Sequence, residues 1–327
     1  MRAYIIRRLL LIVPSFLGIT LIIFLVMLAT PGDPTMLALG DQGALQQTET
    51  TKIHRTETRK LYGLDKPPHV QYCLWLRNLV TFNFGRSFIG WRPIREKIAE
   101  RLPVTLTLNI FALLIIYIIA IPIGIFAAVK QNSAADRIIT LVLFILYSMP
   151  AIWVGTMLMI YVGGTGAFPT DGLNSAGHER LTTLGWTGDR LWHMVLPLVT
   201  LTYAGFASLS RYMRSSMLEV IRQDYVRTAR AKGLAEKVVI FKHALRNSLI
   251  PIVTISVMSL PGLLAGSVIV EKIFNINGMG LMMWDAVLKR DYYVVMAVTT
   301  ISASLVLLSL VLVDVVYALV DPRISYE

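Results

Sequence analysis

The chain is poor in charge and almost without cysteine. Only 16% of its 327 residues are Asp, Glu, Lys or Arg, against roughly 25% in soluble domains. Length alone would suggest two soluble domains of about 150 residues each, but there is too little charge to hydrate their surfaces. The single cysteine, Cys73, excludes an internal disulfide and leaves no C-x-x-C metal spacing, so packing is its expected role. No Gly-Lys pair occurs anywhere, so the G-x-x-x-x-G-K-[ST] phosphate loop is missing and the chain is not itself an ATPase. Its long apolar runs hold no Asp, Glu, Lys or Arg, which argues against the intramembrane relays of proton-coupled transporters. Ser148 and Ser267 have no His or Lys partner within those runs, which argues against an intramembrane protease.

What is present is hydrophobic, at 55% of all positions. The run Leu9–Ala29 is about 21 residues, enough at 1.5 Å per residue to cross a hydrocarbon core of roughly 30 Å. It is too long for the apolar core of a signal peptide despite Arg2, Arg7 and Arg8 before it, and it reads as a retained anchor. Further runs at Val104–Val129, Ile138–Gly163, Met194–Ser210, Leu249–Val270 and Val294–Val313 predict an all-α polytopic membrane protein of about six spans. Pro122, Pro150, Pro197, Pro251 and Pro261 predict kinks within them. The chain divides into a tail and first helix (1–30), an extracytoplasmic segment (31–103) and a five-helix core (104–327).

The net charge of +11 is read as topology rather than nucleic-acid binding, because Lys and Arg gather on cytoplasmic loops. Segment 211–247 carries Arg211, Arg214, Arg222, Arg227, Arg230, Lys232, Lys237, Lys242 and Arg246, which places it in the cytoplasm. The poorer loops 164–193 and 271–293 then face outward, and both termini lie inside. Segment 31–103 is basic yet falls outside; at about 70 residues it exceeds the length over which the rule counts charge. Trp75 and Trp91 in it are candidate interface anchors, and the segment could form a lid or dock another protein.

Segment 211–247 has the most chemistry. Met217, Leu218, Ile221 and Tyr225 predict an amphipathic helix continuing the fourth span, and Val238, Phe241 and Leu245 predict a second stripe after a break at Gly233. Helix, glycine and helix with basic residues also describes a DNA reader, but tethering to spans at both ends leaves little freedom to enter a groove. Ala229 and Ala231 permit close approach, Gly233 permits a turn with positive φ, and Arg227, Arg230 and Lys232 can pair with acids. Those features fit a docking element for a cytosolic protein; a loop made basic only by topology is the plainer alternative.

Asp224-Tyr-Val-Arg-Thr-Ala-Arg-Ala-Lys-Gly-Leu234 and His243-Ala-Leu-Arg-Asn247 resemble the cytoplasmic loop of inner-membrane permeases in binding-protein-dependent ATP-binding-cassette (ABC) importers of the dipeptide, oligopeptide and nickel class. The likeness extends to Pro31-Gly-Asp-Pro34, Leu64-Asp65, Pro67, Gln71-Tyr72, Phe84-Gly85, Ser87, Arg101-Leu-Pro103, Tyr147-Ser-Met-Pro150, Ser215–Val220, Arg290-Asp-Tyr292 and Asp321-Pro-Arg323. It therefore covers nearly the whole chain. The general Glu-Ala-Ala-x-x-x-Gly motif of such importers falls on Arg227-Thr-Ala229 and Gly233, with Arg227 in place of the glutamate.

The resemblance implies a type I ABC importer permease fold. Its expected partners are a second homologous permease, two cytosolic ATPases that bind ATP and Mg, an extracytoplasmic substrate-binding protein and membrane lipid. No cofactor is expected in this chain. Coupling to the ATPase is expected at Arg227, Thr228, Ala229, Arg230, Ala231, Lys232, Gly233 and Leu234, with Thr228–Leu234 as a short coupling helix. The fifth span follows that helix and would move with it, which makes Met258, Pro261 and Gly262 candidate walls of the pathway; methionine and small residues also serve as packing elements. Peptides are the expected cargo, with nickel chelates, glutathione or oligosaccharides as alternatives within the same machinery. A membrane scaffold recruiting a cytosolic protein is the rival of another class.

Overall fold

The computed structural model describes residues 2–30 and 64–320. Pro31–Pro34, positions 41–63 of the outer segment and the closing Asp321-Pro-Arg323 lie outside the described residues. In chain order the helices are α1 (Arg2–Ala29), α2 (Pro68–Val80), α3 (Ile94–Val129), α4 (Ala134–Ser148), α5 (Ala151–Met157), α6 (Thr183–Ile221), α7 (Asp224–Ala231), α8 (Leu245–Ala265), α9 (Val268–Ile273), α10 (Met279–Leu288) and α11 (Tyr292–Val320). A single turn at Glu236–Val238 and a π-helical stretch, Val239–Ala244, lead into α8.

Among the described residues, α1, α3, α6, the run Glu236–Ile273 and α11 are long and apolar enough to cross a membrane. The expected span at 138–163 is not one continuous helix. Its two halves, Ala134–Ser148 and Ala151–Thr165, are bent by 93°, and the pair makes a sixth span only as a broken one. Met149, placed before Pro150, leaves the helical region at φ −81° and ψ 127°, as steric conflict with the proline ring favours. The freed Met149 carbonyl accepts a hydrogen bond from the Tyr203 hydroxyl of α6 at 2.6 Å. The second span also starts earlier than its apolar run, at Ile94, with Pro103 inside the helix.

The long axis of the fold is the contact between α3 and α6. A Cβ on Gly124 would lie 2.6 Å from Met213 Cβ, and one on Gly205 would lie 2.5 Å from Ile116 Cδ1. The two backbones therefore approach as only glycine allows, the usual device for packing helices where lipid removes a hydrophobic incentive. One buried cluster at this contact gathers Leu108, Met194, Leu196, Phe274 and Ile276, and another gathers Met213, Met217, Ile240, Ala244 and Ile252. α1 lies against α11, where Arg8 Nη1 stands 3.2 Å from the Asp314 carboxylate. That ion pair fastens α11 to α1. Trp75 stacks on Phe24 of α1 at 6.4 Å between ring centroids, so α2 rests on the first span.

Candidate functional site

The helix expected to run from the fourth span through Tyr225 is in fact two. α6 ends at Ile221, Gln223 turns extended at φ −71° and ψ 149°, and α7 begins at Asp224. The expected coupling helix Thr228–Leu234 is therefore shifted: Thr228–Ala231 form its second half, Lys232 caps it, and Gly233 and Leu234 lie beyond it. The boundary follows from the residues. Asp224 in the first turn and Arg230 in the last both complement the helix dipole. Gly233, at φ +77°, closes the end by donating its N–H to the Arg230 carbonyl at 2.9 Å, a left-handed cap suited to glycine.

One face of α7 is fastened down. Val226 and Ala229, three residues apart, are buried with Val239 against Val220. Arg230 forks onto Glu236, with Nη2–Oε1 at 2.7 Å and Nε–Oε2 at 3.1 Å, and Glu236 raises the Arg230 pKa through that hydrogen bond first and its charge second. Asn247 Nδ2 donates to the Tyr225 hydroxyl at 2.7 Å, which ties α7 to the first turn of α8. Ser216 Oγ donates to the Ser248 carbonyl at 2.9 Å, tying α6 to the same turn.

The opposite face is open. Tyr225, Arg227, Thr228, Ala231, Lys232, Gly233 and Leu234 are all exposed, and Arg227 stands 3.5 Å from exposed Asp224. Of the expected coupling residues, Ala229 alone is buried; it holds the helix down instead of facing outward. The second expected stripe is displaced as well. Val238 and Phe241 are exposed, Phe241 by 60%, while Val239, Ile240 and Ala244 are buried. A π-helical turn brings residues five apart, such as Val239 and Ala244, onto one face, so spacings of three and four picked the wrong side.

Residues 120–326 match the family described as "Binding-protein-dependent transport system inner membrane component", and residues 1–109 match "Binding-prot-dependent transport system membrane comp, N-term". The chain belongs to this permease family. It is 42% identical over 328 residues to the oligopeptide transport system permease protein AppB of Bacillus subtilis (strain 168), with 100% of both chains covered. It is 35% identical over 344 residues to the dipeptide transport system permease protein DppB of Escherichia coli (strain K12), again over 100% of both. A di/tripeptide transport system permease protein DppB of Pseudomonas aeruginosa (strain UCBPP-PA14) is 36% identical over 341 residues and equally covered. The family is one of inner-membrane transport components, not enzymes, and it works with other components of a binding-protein-dependent system.

In this permease the three candidate pathway residues lie in α8. Pro251, Met258 and Gly262, spaced by seven and four, form one exposed stripe with Met258 at 51% exposure; Pro261 is half-buried beside them. On the α3 side, Asn109 Nδ2 donates to the carbonyls of Gly262 at 3.3 Å and Leu263 at 2.8 Å, capping the end of α8. The helix then breaks at Gly266, φ +75° and ψ 172°.

The burial of the Glu271 and Asp291 carboxylates is not evident from the sequence. Glu271, one residue past an apolar run and assigned there to an outer loop, is 2% exposed. Its carboxylate accepts from Thr105 Oγ1 at 3.1 Å and Leu281 N at 2.7 Å, and Thr105 Oγ1 in turn accepts from Met279 N at 2.8 Å. A Cβ on Gly266 would lie 2.5 Å from Glu271 Oε1, and one on Gly278 would collide with the same carboxylate. The paired glycines at 278 and 280 were the available signal. Asp291 accepts from Ser87 Oγ and, at 3.3 Å, from Phe88 N; Lys97 Nζ donates to Ser87 Oγ and to the Ile89 carbonyl, the latter at 3.0 Å. Ser87 and Arg290-Asp-Tyr292, more than 200 positions apart, thus form one latch.

Proposed function

We propose that this chain is one of two permease subunits of an ABC importer for peptides, and that α7 with the turn after it is the coupling element for a cytosolic ATPase. Full-length likeness to proteins named as oligopeptide and dipeptide permeases carries the peptide reading. The coupling role is supported by a short helix clamped on one face and open on the other. In this reading segment 211–247 and both termini are cytoplasmic, as the density of Lys and Arg argues. The outer segment faces the substrate-binding protein, and ATP with Mg is bound by the ATPases.

The exposed surface around α7 is apolar as well as basic. Tyr225, Leu234, Val238 and Phe241 are each at least 40% exposed beside Arg227 and Lys232. That combination fits a groove with an apolar floor and an acidic rim. Closure of the ATPases on ATP would push α7, and the clamps would pass the displacement to α8, whose exposed stripe of Pro251, Met258 and Gly262 would line the pathway. Cargo would then be carried from the outer side to the inner without any residue of this chain entering a covalent step.

The test is reconstitution. The chain should co-purify with a second permease and two ATPases, and in proteoliposomes its ATP turnover should rise when a peptide-loaded binding protein is supplied. Stimulation by nickel chelates, glutathione or oligosaccharides and not by peptides would overturn the cargo. Purification free of any ATPase, with α7 intact, would overturn the coupling role.

A further inference from the structure

A cleft of about 700 Å³ separates the first half of α4 from the end of α6. Its walls include Ile139, Leu141, Leu143 and Phe144, and its polar lining includes Arg137, Arg211, Arg214 and Asp136. Arg214 is committed to Asp136 through Nε–Oδ1 at 2.9 Å and Nη2–Oδ2 at 2.8 Å. Three cations against one anion leave two positive charges on the cleft, carried by Arg137 and Arg211, both exposed. Arg211 is also placed: its guanidinium lies 5.3 Å from the centre of the Tyr147 ring of α4. Leu141 and Phe144 are also exposed, and beside them, outside the cleft's lining, Ile138, Val142 and Ile145 of α4 are apolar and uncovered.

We propose that this cleft binds an anionic phospholipid. Paired arginines at the end of two spanning helices, above an aliphatic wall, match a phosphate headgroup continued by an acyl chain, and basic pockets between helices are a known way of holding such lipids. Arginine suits the phosphate because its guanidinium can form two parallel hydrogen bonds to it. The ion pair Arg214–Asp136 sets the floor, holding α4 to α6 at the width the headgroup needs. The site requires only that the protein lie in the inner membrane, and it does not depend on peptides being the cargo or on α7 meeting an ATPase.

The experiment uses the full chain, assembled with whatever partners it retains, in mild detergent. Native mass spectrometry would count bound lipid after addition of phosphatidylglycerol or phosphatidylcholine at equal concentration. Phosphatidylglycerol should be retained preferentially. The double variant Arg137→Gln, Arg211→Gln should lose it by about fivefold per arginine, while Lys237→Gln, Lys242→Gln, outside the cleft's lining, should retain it. Glycerol phosphate and inorganic phosphate serve as competitors: failure to displace the lipid marks the acyl chain as part of the ligand, and displacement at matched concentration would overturn a lipid in favour of a free anion. Equal retention of the two lipids, or unchanged retention in the double variant, would also overturn the proposal. So would protection of Leu141→Cys from a lipid-soluble thiol reagent by a second permease, since the cleft would then be a subunit interface. Elution of the variant at the wild-type volume in gel filtration keeps misfolding apart from these outcomes.

Discussion

Gly233 gives the sharpest test of the coupling reading, because its two possible roles predict different substitution series. A Cβ there meets nothing within 4 Å, so the space around it tolerates a side chain. The backbone does not: at φ +77° an L-residue with a Cβ is strained by about 1–2 kcal/mol, more if β-branched and less if Asn. A shift of that size changes the ratio of capped to uncapped α7 by about 5–30-fold. Uncapping releases the bond from Gly233 N to the Arg230 carbonyl and loosens the Arg230–Glu236 clamp beside it. Gly233→Asn should therefore transport nearly as the parent does, Gly233→Ala should lose several-fold, and Gly233→Val should lose about tenfold or more. All three should retain the spans, because a side chain at that position meets no neighbouring atom within 4 Å of its Cβ. The assay is uptake and stimulated ATP turnover in proteoliposomes at equal subunit content. Normal coupled uptake by the valine variant would refute the reasoning. Equal damage from asparagine and valine would show that bulk at a partner surface, not φ, is what Gly233 avoids.

Two further perturbations follow from buried groups. Ala229→Glu places a carboxylate against Val226 and Val239, where an unpaired charge costs several kcal/mol; α7 should lift, and limited trypsin should cut at Arg227 and Arg230 much faster than in the parent, whereas an unchanged cleavage rate would mean that the inner face of α7 is not packed. Glu271→Ala removes the acceptor for Leu281 N and Thr105 Oγ1, at about 1–3 kcal/mol for each orphaned donor, so the detergent-solubilised permease should unfold several degrees lower in tryptophan fluorescence; an unchanged transition would mean that solvent already reaches the site.

Most of the bundle was legible because lipid imposes one simple demand, a long apolar helix with every backbone bond satisfied internally. Runs such as Val104–Val129 meet that demand without help from the rest of the chain. What stayed hidden depends on partners remote in sequence. Pro150 breaks its span where Pro122 and Pro197 do not, and the carbonyl freed at the break is taken up by Tyr203, 54 positions away in the chain. The turn before α8 was misassigned because a helical stripe was read at spacings of three and four, and a π turn uses five. Glu271 was missed for a related reason. An uncharged run stops at its first carboxylate, and only the fold shows that Thr105 and the Gly278–Gly280 stretch have closed around it.

The clamps also decide where motion can be absorbed. A displacement applied to α7 cannot dissipate in the loop, because Asn247 holds Tyr225, Ser248 receives Ser216, and Arg230 grips Glu236. It cannot easily pass beyond α8 either: Asn109 caps that helix on α3, Gly266 interrupts the chain, and Glu271 fastens the next segment to Thr105 of the same helix. The compliant part between these two fixed ends is Leu245–Ala265, where Pro251 and Pro261 each remove a backbone hydrogen bond. A push at one end of a proline-weakened rod held at the other bends the rod, and the residues that then move furthest against their surroundings are those of the exposed stripe through Pro251, Met258 and Gly262. On the proposed function, the coupling segment and the pathway candidates are thus two ends of one lever, which is why stiffness at α7 and weakness in α8 belong together.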